Sequence, residues 1–577
     1  MHQMKKLMLG NEAVARGAYE AGVRVVSSYP GTPSTEITEF AAQYREMNCE
    51  WAPNEKVAAE VAYGAAMGGA RSMTCMKHVG VNVAADPLFT AAYTGVRAGL
   101  VVVCADDPAM HSSQNEQDSR YYARAAHIPM LEPSDSQECK DFLRLAYAFS
   151  EQYDTPVFLR LTTRIAHARS AVSLEERTDA QVKPYERDFM KYVMMPGMAR
   201  KRHVVVEQRL KAMAEDADTL SVNRIEMGET SLGIICSGAC YTYVKEALPD
   251  VSVLKLGLVH PLPQKLIGDF AKKVDRLVVI EELEPVIQQQ VASWGFAVEG
   301  KNLTGLQGEM SVSRLKCMFG HEAPAEPQDT LPARPPVLCP GCPHRGAFYA
   351  MKKLKLNVMG DIGCYTMAAL PPLSMLDACL CMGASIGVAF GVEKAQGREF
   401  SRHTVAVLGD STFIHSGITP LIDAVYNGGT ITVVILDNRI TGMTGHQQNP
   451  ATGKNILGEP APQLDLEALC KACGVENVRV VDPFNQQEMR KALKEETARE
   501  AVSVIIARRP CVLLLKEKTV PVKVEDCRNC GVCLGLGCPA IERGEQGVRI
   551  NGALCVDCGL CVDICPFKAI HAGRESK

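Results

Sequence analysis

Two polar corners, each placed after an apolar run, are the clearest candidates for chemistry in this 577-residue sequence. The run 405–408 ends near Asp410 and the run 431–436 ends near Asn438, with a helical pattern between the two runs. Because parallel strands present their carboxyl ends at one edge of a sheet, we expect the two side chains to lie close together. A carboxylate, an amide oxygen and a backbone carbonyl suit Mg²⁺ holding a phosphate. The pattern alone also fits a plain strand–helix–strand crossover with two polar turns.

Eight cysteines near the end of the sequence form a repeated pattern. Their spacing is C-x2-C-x2-C-x4-C-P and then C-x2-C-x2-C-x3-C-P, with the halves offset by 28 residues. This spacing is typical of proteins that bind two [4Fe–4S] clusters, in which each fourth cysteine ligates the cluster of the other half. Zinc is the alternative metal for such cysteine triplets. The pattern predicts one cluster on Cys527, Cys530, Cys533 and Cys565 and a second on Cys555, Cys558, Cys561 and Cys538.

A separate C-P-G-C-P-H motif contains Cys339, Cys342 and His344. These three side chains have the chemistry of half a zinc site. No second C-x2-C pair stands at zinc-knuckle spacing after them. Zinc is therefore the weaker interpretation of this motif.

Two corners near the start of the sequence carry further candidates. The run 23–28 leads into Y-P-G-T-P, where Thr32 precedes a predicted helix and suits a helix cap. Glu55 begins a predicted helix rich in alanine and glycine, whose small residues allow close packing against a neighbouring element. A glutamate at a helix start is ordinarily favourable with the helix dipole. Glu60 lies on the same helix, so position alone assigns neither glutamate a chemical role.

The elements that position these residues predict an α/β protein of several domains. Apolar strand runs alternate with helical patterns through most of the sequence, which is typical of doubly wound parallel sheets. A proline-rich stretch at 323–336 marks one boundary. The predicted segments are an α/β domain at 1–170, a charged linker with a surface helix at 171–229, a small α/β domain at 230–325, a second large α/β domain at 338–516 and an α+β domain at 519–577.

Composition narrows the function classes. The sequence is 47% hydrophobic and 22% charged, as is ordinary for a globular protein, and its net charge of −4 gives no support for nucleic-acid binding. No apolar run approaches the ~20 residues of a membrane span, and the first residues do not resemble a secretory signal. The 23 cysteines therefore favour reduced thiols and metal ligation over disulfides, and we expect a cytoplasmic location.

Taken together, the motifs resemble those of the thiamine-diphosphate-dependent 2-oxoacid:ferredoxin oxidoreductases. The resemblance implies two doubly wound thiamine-binding domains, a domain at 230–325 like the transketolase C-terminal domain, and a two-cluster ferredoxin-like domain at the end. The motifs that carry it are YPGTP at 29–33, NE at 54–55, CPGCPH at 339–344, GDIGC at 360–364, GDS to DN at 409–438, and the cysteine tail.

The resemblance also implies roles for individual residues. Glu55 would hydrogen-bond the aminopyrimidine ring of thiamine diphosphate, Thr32 would face substrate and cofactor, and Cys364 would lie against the thiamine ring. Mg²⁺ would bind Asp410, Asn438 and the carbonyl of Ile440. The other implied cofactor-binding residues are Gly409, Ser411, Thr412 and His344.

By the same resemblance we expect a catalytic alpha subunit that oxidatively decarboxylates aryl 2-oxo acids, such as indolepyruvate and phenylpyruvate, with coenzyme A. Electrons would pass through two [4Fe–4S] clusters to ferredoxin, and a smaller beta subunit would complete an α2β2 assembly. The alternatives are a relative acting on pyruvate or branched-chain 2-oxo acids, and a non-catalytic electron-transfer subunit.

One departure from the family pattern bears on the substrate. Pyruvate-specific members carry an arginine that pairs with the substrate carboxylate, whereas this sequence has Asp106 and Asp107 near that point. The departure favours a bulkier 2-oxo acid over pyruvate. His78, His111 and Arg120 are further candidates for the pocket lining, although such residues more often have structural or surface roles.

Overall fold

The computed structural model describes residues 4–323, 332, 335–515 and 520–573. The chain divides into two compact units, Met1–Asp329 and Thr330–Lys577. The proline-rich stretch at 323–336 lies mostly outside the described residues. The five segment boundaries predicted from the sequence stay predictions.

The strands of the first unit are β1 (Lys5–Leu9), β2 (Val25–Ser28), β3 (Asn48–Trp51), β4 (Ser72–Lys77), β5 (Leu100–Asp106), β6 (Met130–Leu131), β7 (Val157–Thr162), β8 (Arg169–Ser173), β9 (Arg224–Glu226), β10 (Glu229–Ser237), β11 (Val251–Leu256), β12 (Leu258–His260) and β13 (Leu277–Ile280). A seven-stranded sheet has the order β12-β6-β7-β5-β4-β2-β3, with parallel neighbours except at the β12–β6 edge. A four-stranded sheet has the order β13-β10-β11-β9, with β9 antiparallel. The remaining pair, β1 and β8, is antiparallel.

Helices cover both faces of the seven-stranded sheet. The helices of the first unit are α1 (Gly10–Glu20), α2 (Thr35–Ala41), α3 (Glu55–Met67), α4 (His78–Thr94), α5 (Arg120–Ala126), α6 (Ser136–Tyr153), α7 (Thr163–His167), α8 (Phe189–Tyr192), α9 (Pro196–Ala217), α10 (Gly238–Ala247), α11 (Gln264–Ala271), α12 (Val286–Ser293), α13 (Lys301–Thr304) and α14 (Val312–Met318). In β5, Val101 and Val103 pack into one hydrophobic cluster, whereas Val102 and Cys104 pack into another. This alternation is expected of a strand buried on both faces.

The second unit repeats this architecture with a six-stranded sheet. Its strands are β14 (Asn357–Gly360), β15 (Ala378–Cys379), β16 (Thr404–Gly409), β17 (Thr432–Asp437), β18 (Asn477–Val481), β19 (Ser503–Arg508), β20 (Lys523–Val524), β21 (Ile541–Gly544), β22 (Gly547–Ile550) and β23 (Ile570–His571). Its helices are α15 (His344–Leu354), α16 (Ala384–Gln396), α17 (Arg398–Ser401), α18 (Asp410–Thr412), α19 (Ile418–Tyr426), α20 (Leu466–Ala472), α21 (Gln486–Thr497) and α22 (Leu560–Ile564). The sheet order is β15-β14-β16-β17-β19-β18, and every described pairing is parallel.

The cysteine tail forms a small α+β body on this unit. This body consists of two antiparallel strand pairs, β20–β23 and β21–β22, and the helix α22. Its core residues Leu536, Leu560 and Ile570 pack in one cluster with Tyr349 of α15 and with Phe484. The predicted α/β and α+β classes are therefore confirmed.

Candidate active site

The two polar corners predicted from the sequence meet at the carboxyl ends of the neighbouring strands β16 and β17. One carboxylate oxygen of Asp410, Oδ2, accepts a hydrogen bond from the N–H of Arg439 at 2.8 Å, and Oδ1 accepts one from the N–H of Ser411 at 2.6 Å. Arg439 has a φ of 60°, a left-handed conformation that is uncommon for a residue other than glycine. Asn438 Oδ1 accepts from the N–H of Ile440 at 3.3 Å, which closes the turn 438–440. The Arg439 N–H holds this turn against the Asp410 carboxylate.

The chemistry of this corner fits a Mg²⁺ ion. Asp410 is 2% exposed. Burial raises the pKa of Asp410 to about 7, and the nearby Asp437 carboxylate adds to the effect. A divalent cation would offset both causes because it stabilises the ionised carboxylate. The available donors are a carboxylate, an amide oxygen and a backbone carbonyl, which match the oxygen preference of Mg²⁺.

The loop after β14 closes the same corner from the other side. The hydroxyl of Tyr365 donates to the carbonyl of Ile362 at 2.7 Å, and the hydroxyl of Thr412 donates to that carbonyl at 3.0 Å. A Cβ on Gly409 would lie 3.0 Å from Cε1 of Tyr365, so glycine permits the close approach of the ring. α18 thus begins at a strand end, where an anion such as a diphosphate is favoured.

His344 lies against the Asp410–Asn438 corner. It is the first residue of α15, and its Nε2 stands 3.4 Å from Nδ2 of Asn438. Burial lowers the pKa of His344 to about 4, so the neutral ring can accept a hydrogen bond from that amide. Among the described residues, no three His, Cys, Asp or Glu side chains converge to hold one metal ion. The zinc half-site considered for this motif has no support in the geometry.

Four cysteines from separate parts of the second unit gather beside the corner. They are Cys339, Cys342, Cys364 and Cys511. Burial raises the pKa of Cys364 to about 11 and that of Cys342 to about 12, and in each case neighbouring members of the group contribute. The N–H of Cys511 donates to the carbonyl of Asn438 at 2.9 Å, which ties this group to the proposed Mg²⁺ ligands.

The fourth cysteine of each half of the tail acts on cysteines of the other half. Burial raises the pKa of Cys533, and the other causes include the charges of Cys527, Cys530 and Cys565. Burial likewise raises the pKa of Cys561 to about 12, with contributions from Cys558, Cys538, Cys555 and Cys533. Each fourth cysteine thus associates with the opposite half of the repeat. In a [4Fe–4S] cluster each thiolate binds a different iron, so the sulfurs stand farther apart than the ligands of a single ion.

Arg345 connects the four-cysteine group to the tail. Its buried guanidinium donates to the carbonyls of Leu536 and Gly537 at 2.8 and 2.7 Å, just before Cys538, and to the carbonyl of Cys339 at 3.2 Å. A Cβ on Gly341 would lie 2.4 Å from Cγ2 of Val556 in the tail. The C-P-G-C corner and the tail therefore pack tightly within the second unit.

Glu55 is buried in the first unit, where it packs against Gly80. It is the first residue of α3 and is 4% exposed, while the preceding Asn54 accepts from the N–H of Val57 at 2.9 Å and caps the helix. A Cβ on Gly80, in the first turn of α4, would lie 2.7 Å from Oε1 of Glu55. The carboxylate is thus held against the backbone of α4. Thr32 is half-buried in the loop between β2 and α2.

The candidate pocket residues Asp106, Asp107, His111 and Arg120 have other partners. Asp106 and Asp107 hold neighbouring side chains: Asp106 accepts from Arg160 Nε at 2.7 Å, and Asp107 accepts from Thr163. Arg120 is buried in ion pairs with Asp118 and Glu281, and His111 lies 3.3 Å from Glu309 at the surface. Arg120 and His111 therefore have the structural and surface roles that such residues usually have. His78 is fully buried.

The sequence matches known families along most of its length. Residues 16–224 match the family described as pyruvate flavodoxin/ferredoxin oxidoreductase, thiamine diP-binding, and residues 361–507 match the C-terminal TPP-binding domain of thiamine pyrophosphate enzymes. Residues 548–571 match the 4Fe-4S binding domain. These matches establish thiamine-binding domains and an iron–sulfur domain in this chain.

Full-length relatives decide the family. Indolepyruvate oxidoreductase subunit IorA of Archaeoglobus fulgidus is 40% identical over 99% of this chain and 98% of its own length. The subunit of the same name from Methanothermobacter marburgensis is 42% identical over 98% of this chain and 96% of its own. This chain belongs to the IorA family. A 2-oxoglutarate synthase subunit KorA of Methanocaldococcus jannaschii is more distant, at 25% identity over 47% of this chain and 87% of its own.

Membership of the IorA family places the chain among the thiamine-diphosphate-dependent 2-oxoacid:ferredoxin oxidoreductases. The predicted family and cofactor classes, thiamine diphosphate and iron–sulfur, are therefore confirmed. Across the described part of the chain, no helix combines the length and apolar character needed to cross a bilayer.

Two residues of the second unit were missed by sequence reasoning. Asp361, within the GDIGC motif, accepts from the N–H groups of Gly383 and Ser385 at 3.0 Å and so caps α16 beside the site. Its position inside a family motif was a usable signal. Cys511 had no such signal, because it follows β19 alone and far from the other three cysteines of its group.

Proposed function

We propose that this chain is the catalytic alpha subunit of an indolepyruvate:ferredoxin oxidoreductase. The reaction converts an aryl 2-oxo acid, coenzyme A and two oxidised ferredoxins into an aryl-acyl-CoA, CO₂, a proton and two reduced ferredoxins. The observation that carries the proposal is the Asp410–Asn438 corner, which is joined through a group of four cysteines to an iron–sulfur tail. A thiamine enzyme without an electron acceptor has no use for such a tail.

In this proposal Asp410, Asn438 and the carbonyl of Ile440 hold Mg²⁺. Ser411, Thr412 and Gly409 meet the diphosphate, and His344 orients Asn438. When bound, thiamine diphosphate supplies the carbon nucleophile and the electron sink for decarboxylation. Glu55 exchanges a proton with the aminopyrimidine ring, and Thr32 faces the substrate.

The four-cysteine group adds a step to the electron path predicted from the sequence. Cys339, Cys342, Cys364 and Cys511 have the ligand number and type of a [4Fe–4S] cluster. We propose that they would hold a third cluster, which would supply an electron relay between the Asp410–Asn438 corner and the cluster proposed on Cys538, Cys555, Cys558 and Cys561. The cluster proposed on Cys527, Cys530, Cys533 and Cys565 would supply the outlet to ferredoxin. In this role Cys364 is a cluster ligand beside the cofactor.

The proposed assembly contains a smaller beta subunit in an α2β2 complex in the cytoplasm. A panel of 2-oxo acids tests the substrate class, with coenzyme A and a viologen acceptor, using the chain together with its partner subunit under anaerobic conditions. We expect kcat/KM for indolepyruvate and phenylpyruvate to exceed that for pyruvate, 2-oxoglutarate and branched-chain acids by at least tenfold. Preference for any of the latter would overturn the substrate assignment, and absence of turnover with all of them would favour a non-catalytic subunit.

A further inference from the structure

Lys77 is a buried cation at the carboxyl end of β4. It is 7% exposed, and its ammonium donates to the carbonyl of Ser112. Four other buried cations of the first unit pair with carboxylates, namely Arg120, Lys140, Arg160 and Lys255, whereas buried Arg209 donates to the carbonyls of Asp154 and Ala92. An ammonium has three donors, and a buried cation is costly unless it is matched by an anion. With one carbonyl as its hydrogen-bond partner, Lys77 therefore keeps donor capacity for an anion.

Lys77 lies among the candidate catalytic residues of the first unit. A Cβ on Gly31, next to Thr32, would lie 3.1 Å from Cβ of Lys77. Three residues along the chain, Gly80 contacts the carboxylate of Glu55. The lysine thus stands between the Thr32 loop and the helix turn that holds Glu55, at the sheet edge where α/β proteins bind ligands.

The residue that follows, His78, is a second buried polar group at this point. It is fully buried, and neither ring nitrogen has a hydrogen bond of acceptable geometry, although the backbone of Asn115 lies nearby. Burial lowers the pKa of His78, so the ring is neutral and has one N–H to donate. A buried, unsatisfied donor beside an ammonium suits an oxyanion with two acceptor oxygens.

Asp107 holds the loop that covers Lys77. Its Oδ2 accepts from the N–H of Ser112 at 2.8 Å and from the hydroxyl of Ser113 at 2.6 Å. The loop therefore positions the Ser112 carbonyl on the ammonium, while the Asp107 carboxylate accepts hydrogen bonds from the loop and acts on Lys77 through its charge. A carbonyl is a weaker partner for an ammonium than a carboxylate is.

We propose that Lys77 binds the carboxylate of the 2-oxo acid, which displaces the Ser112 carbonyl, and that His78 donates a second hydrogen bond to it. The inference rests on the proposed function, since it names the group that recognises the acid of that reaction. It also explains how an acid is bound although Asp106 and Asp107 stand where pyruvate-specific relatives have an arginine.

Steady-state kinetics of the complete complex with phenylpyruvate test the inference. In Lys77→Met we expect KM for phenylpyruvate to rise about 10- to 100-fold, the loss expected for a hydrogen bond to a charged group, with a smaller change in kcat. KM for coenzyme A should not change. Lys77→Arg should recover most of the affinity. The matched control is Lys56→Met, because Lys56 is an exposed lysine of α3 that pairs with Glu60.

Inhibition separates charge recognition from a structural role. Wild type should bind 3-phenylpropionate more tightly than its neutral amide, and Lys77→Met should remove that preference. An unchanged KM together with an intact preference in Lys77→Met would overturn the inference. A wild-type complex that oxidises no 2-oxo acid would instead overturn the proposed function.

The pH profile provides a test that needs no loss of the lysine. Burial lowers the pKa of Lys77 to about 8, and the titratable groups that face it are Asp107 and His78. Since only the ammonium binds a carboxylate, kcat/KM of wild type should fall above about pH 8. In Lys77→Arg this fall in kcat/KM should occur only at much higher pH. A fall at the same pH in Lys77→Arg, or no fall in wild type, would contradict the inference.

Discussion

Glu55 and Glu60 stand on the same helix, but they differ in surroundings. Glu55 is buried against Gly80, whereas Glu60 is exposed and pairs with Lys56. We predict that Glu55→Gln lowers kcat by about 10²- to 10⁴-fold, the range for loss of a positioned proton-transfer group. Glu60→Gln should leave kcat within twofold. Bound thiamine diphosphate should remain in both variants, and turnover by Glu55→Gln at the wild-type rate would remove Glu55 from the mechanism.

The residues with chemistry were largely predictable one at a time, because motifs fix their type and spacing. Asp410, Asn438 and the tail cysteines were predicted in this way. Lys77 and Cys511 were not assigned, since their importance depends on what surrounds them in space. A buried lysine with a carbonyl partner looks like any other lysine in the sequence.

At the scale of elements, the close approach of α4 to Glu55 makes Gly80 a sensitive position. Gly80→Ala places a methyl group 2.7 Å from Oε1 of Glu55, so the carboxylate must move. We predict that the variant folds but loses most of its activity while it retains Glu55. Gly64→Ala is the matched control, because a Cβ there meets nothing within 4 Å. It should be neutral in the isolated chain or stabilise α3 by up to about 1 kcal/mol in thermal or urea unfolding. Equal activity of the two variants would refute the proposed positioning.

A buried ion-pair network joins α5 to the segment before α12. The guanidinium groups of Arg120 and Arg160 hold the pKa of Asp118 below its usual range, although burial alone would raise it. Arg120→Met leaves buried carboxylates unmatched and should lower the unfolding free energy by about 3–5 kcal/mol at pH 7. The loss should shrink as pH falls below about 4, because the carboxylates then take up protons. Urea unfolding against pH measures it, with the exposed Arg124→Met as the control. A deficit independent of pH would contradict the ionic explanation.

Sequence patterns predicted the strands and helices around the site more reliably than their irregularities. The runs at 405–408 and 431–436 became β16 and β17, as expected. The turn of π-helix at Phe413–Gly417, between α18 and α19, had no signal in the periodicity. Nor did β12, which follows β11 but pairs with β6 of the larger sheet. Pairings between distant segments depend on packing that a one-dimensional pattern does not contain.

At the scale of the whole molecule, the second unit joins the cofactor corner to the tail through cysteines. If the four-cysteine group holds a cluster, the full chain should contain about twelve irons rather than eight. We predict that Cys511→Ser lowers the content to about eight and blocks electron transfer to viologen. Cys473→Ser, at a half-buried cysteine outside all three groups, should change neither. Eight irons in wild type and in Cys511→Ser alike would remove the third cluster.

The central claim is that oxidation of a 2-oxo acid at the Asp410–Asn438 corner reduces the iron–sulfur clusters of the tail. Its most direct test is to add phenylpyruvate anaerobically to the complete complex, loaded with thiamine diphosphate and Mg²⁺, without an external acceptor. Visible absorbance and electron paramagnetic resonance then report cluster reduction. We predict rapid reduction in wild type and none in Glu55→Gln. Clusters that stay oxidised in a fully loaded wild-type complex, or that are reduced equally in Glu55→Gln, would contradict the claim.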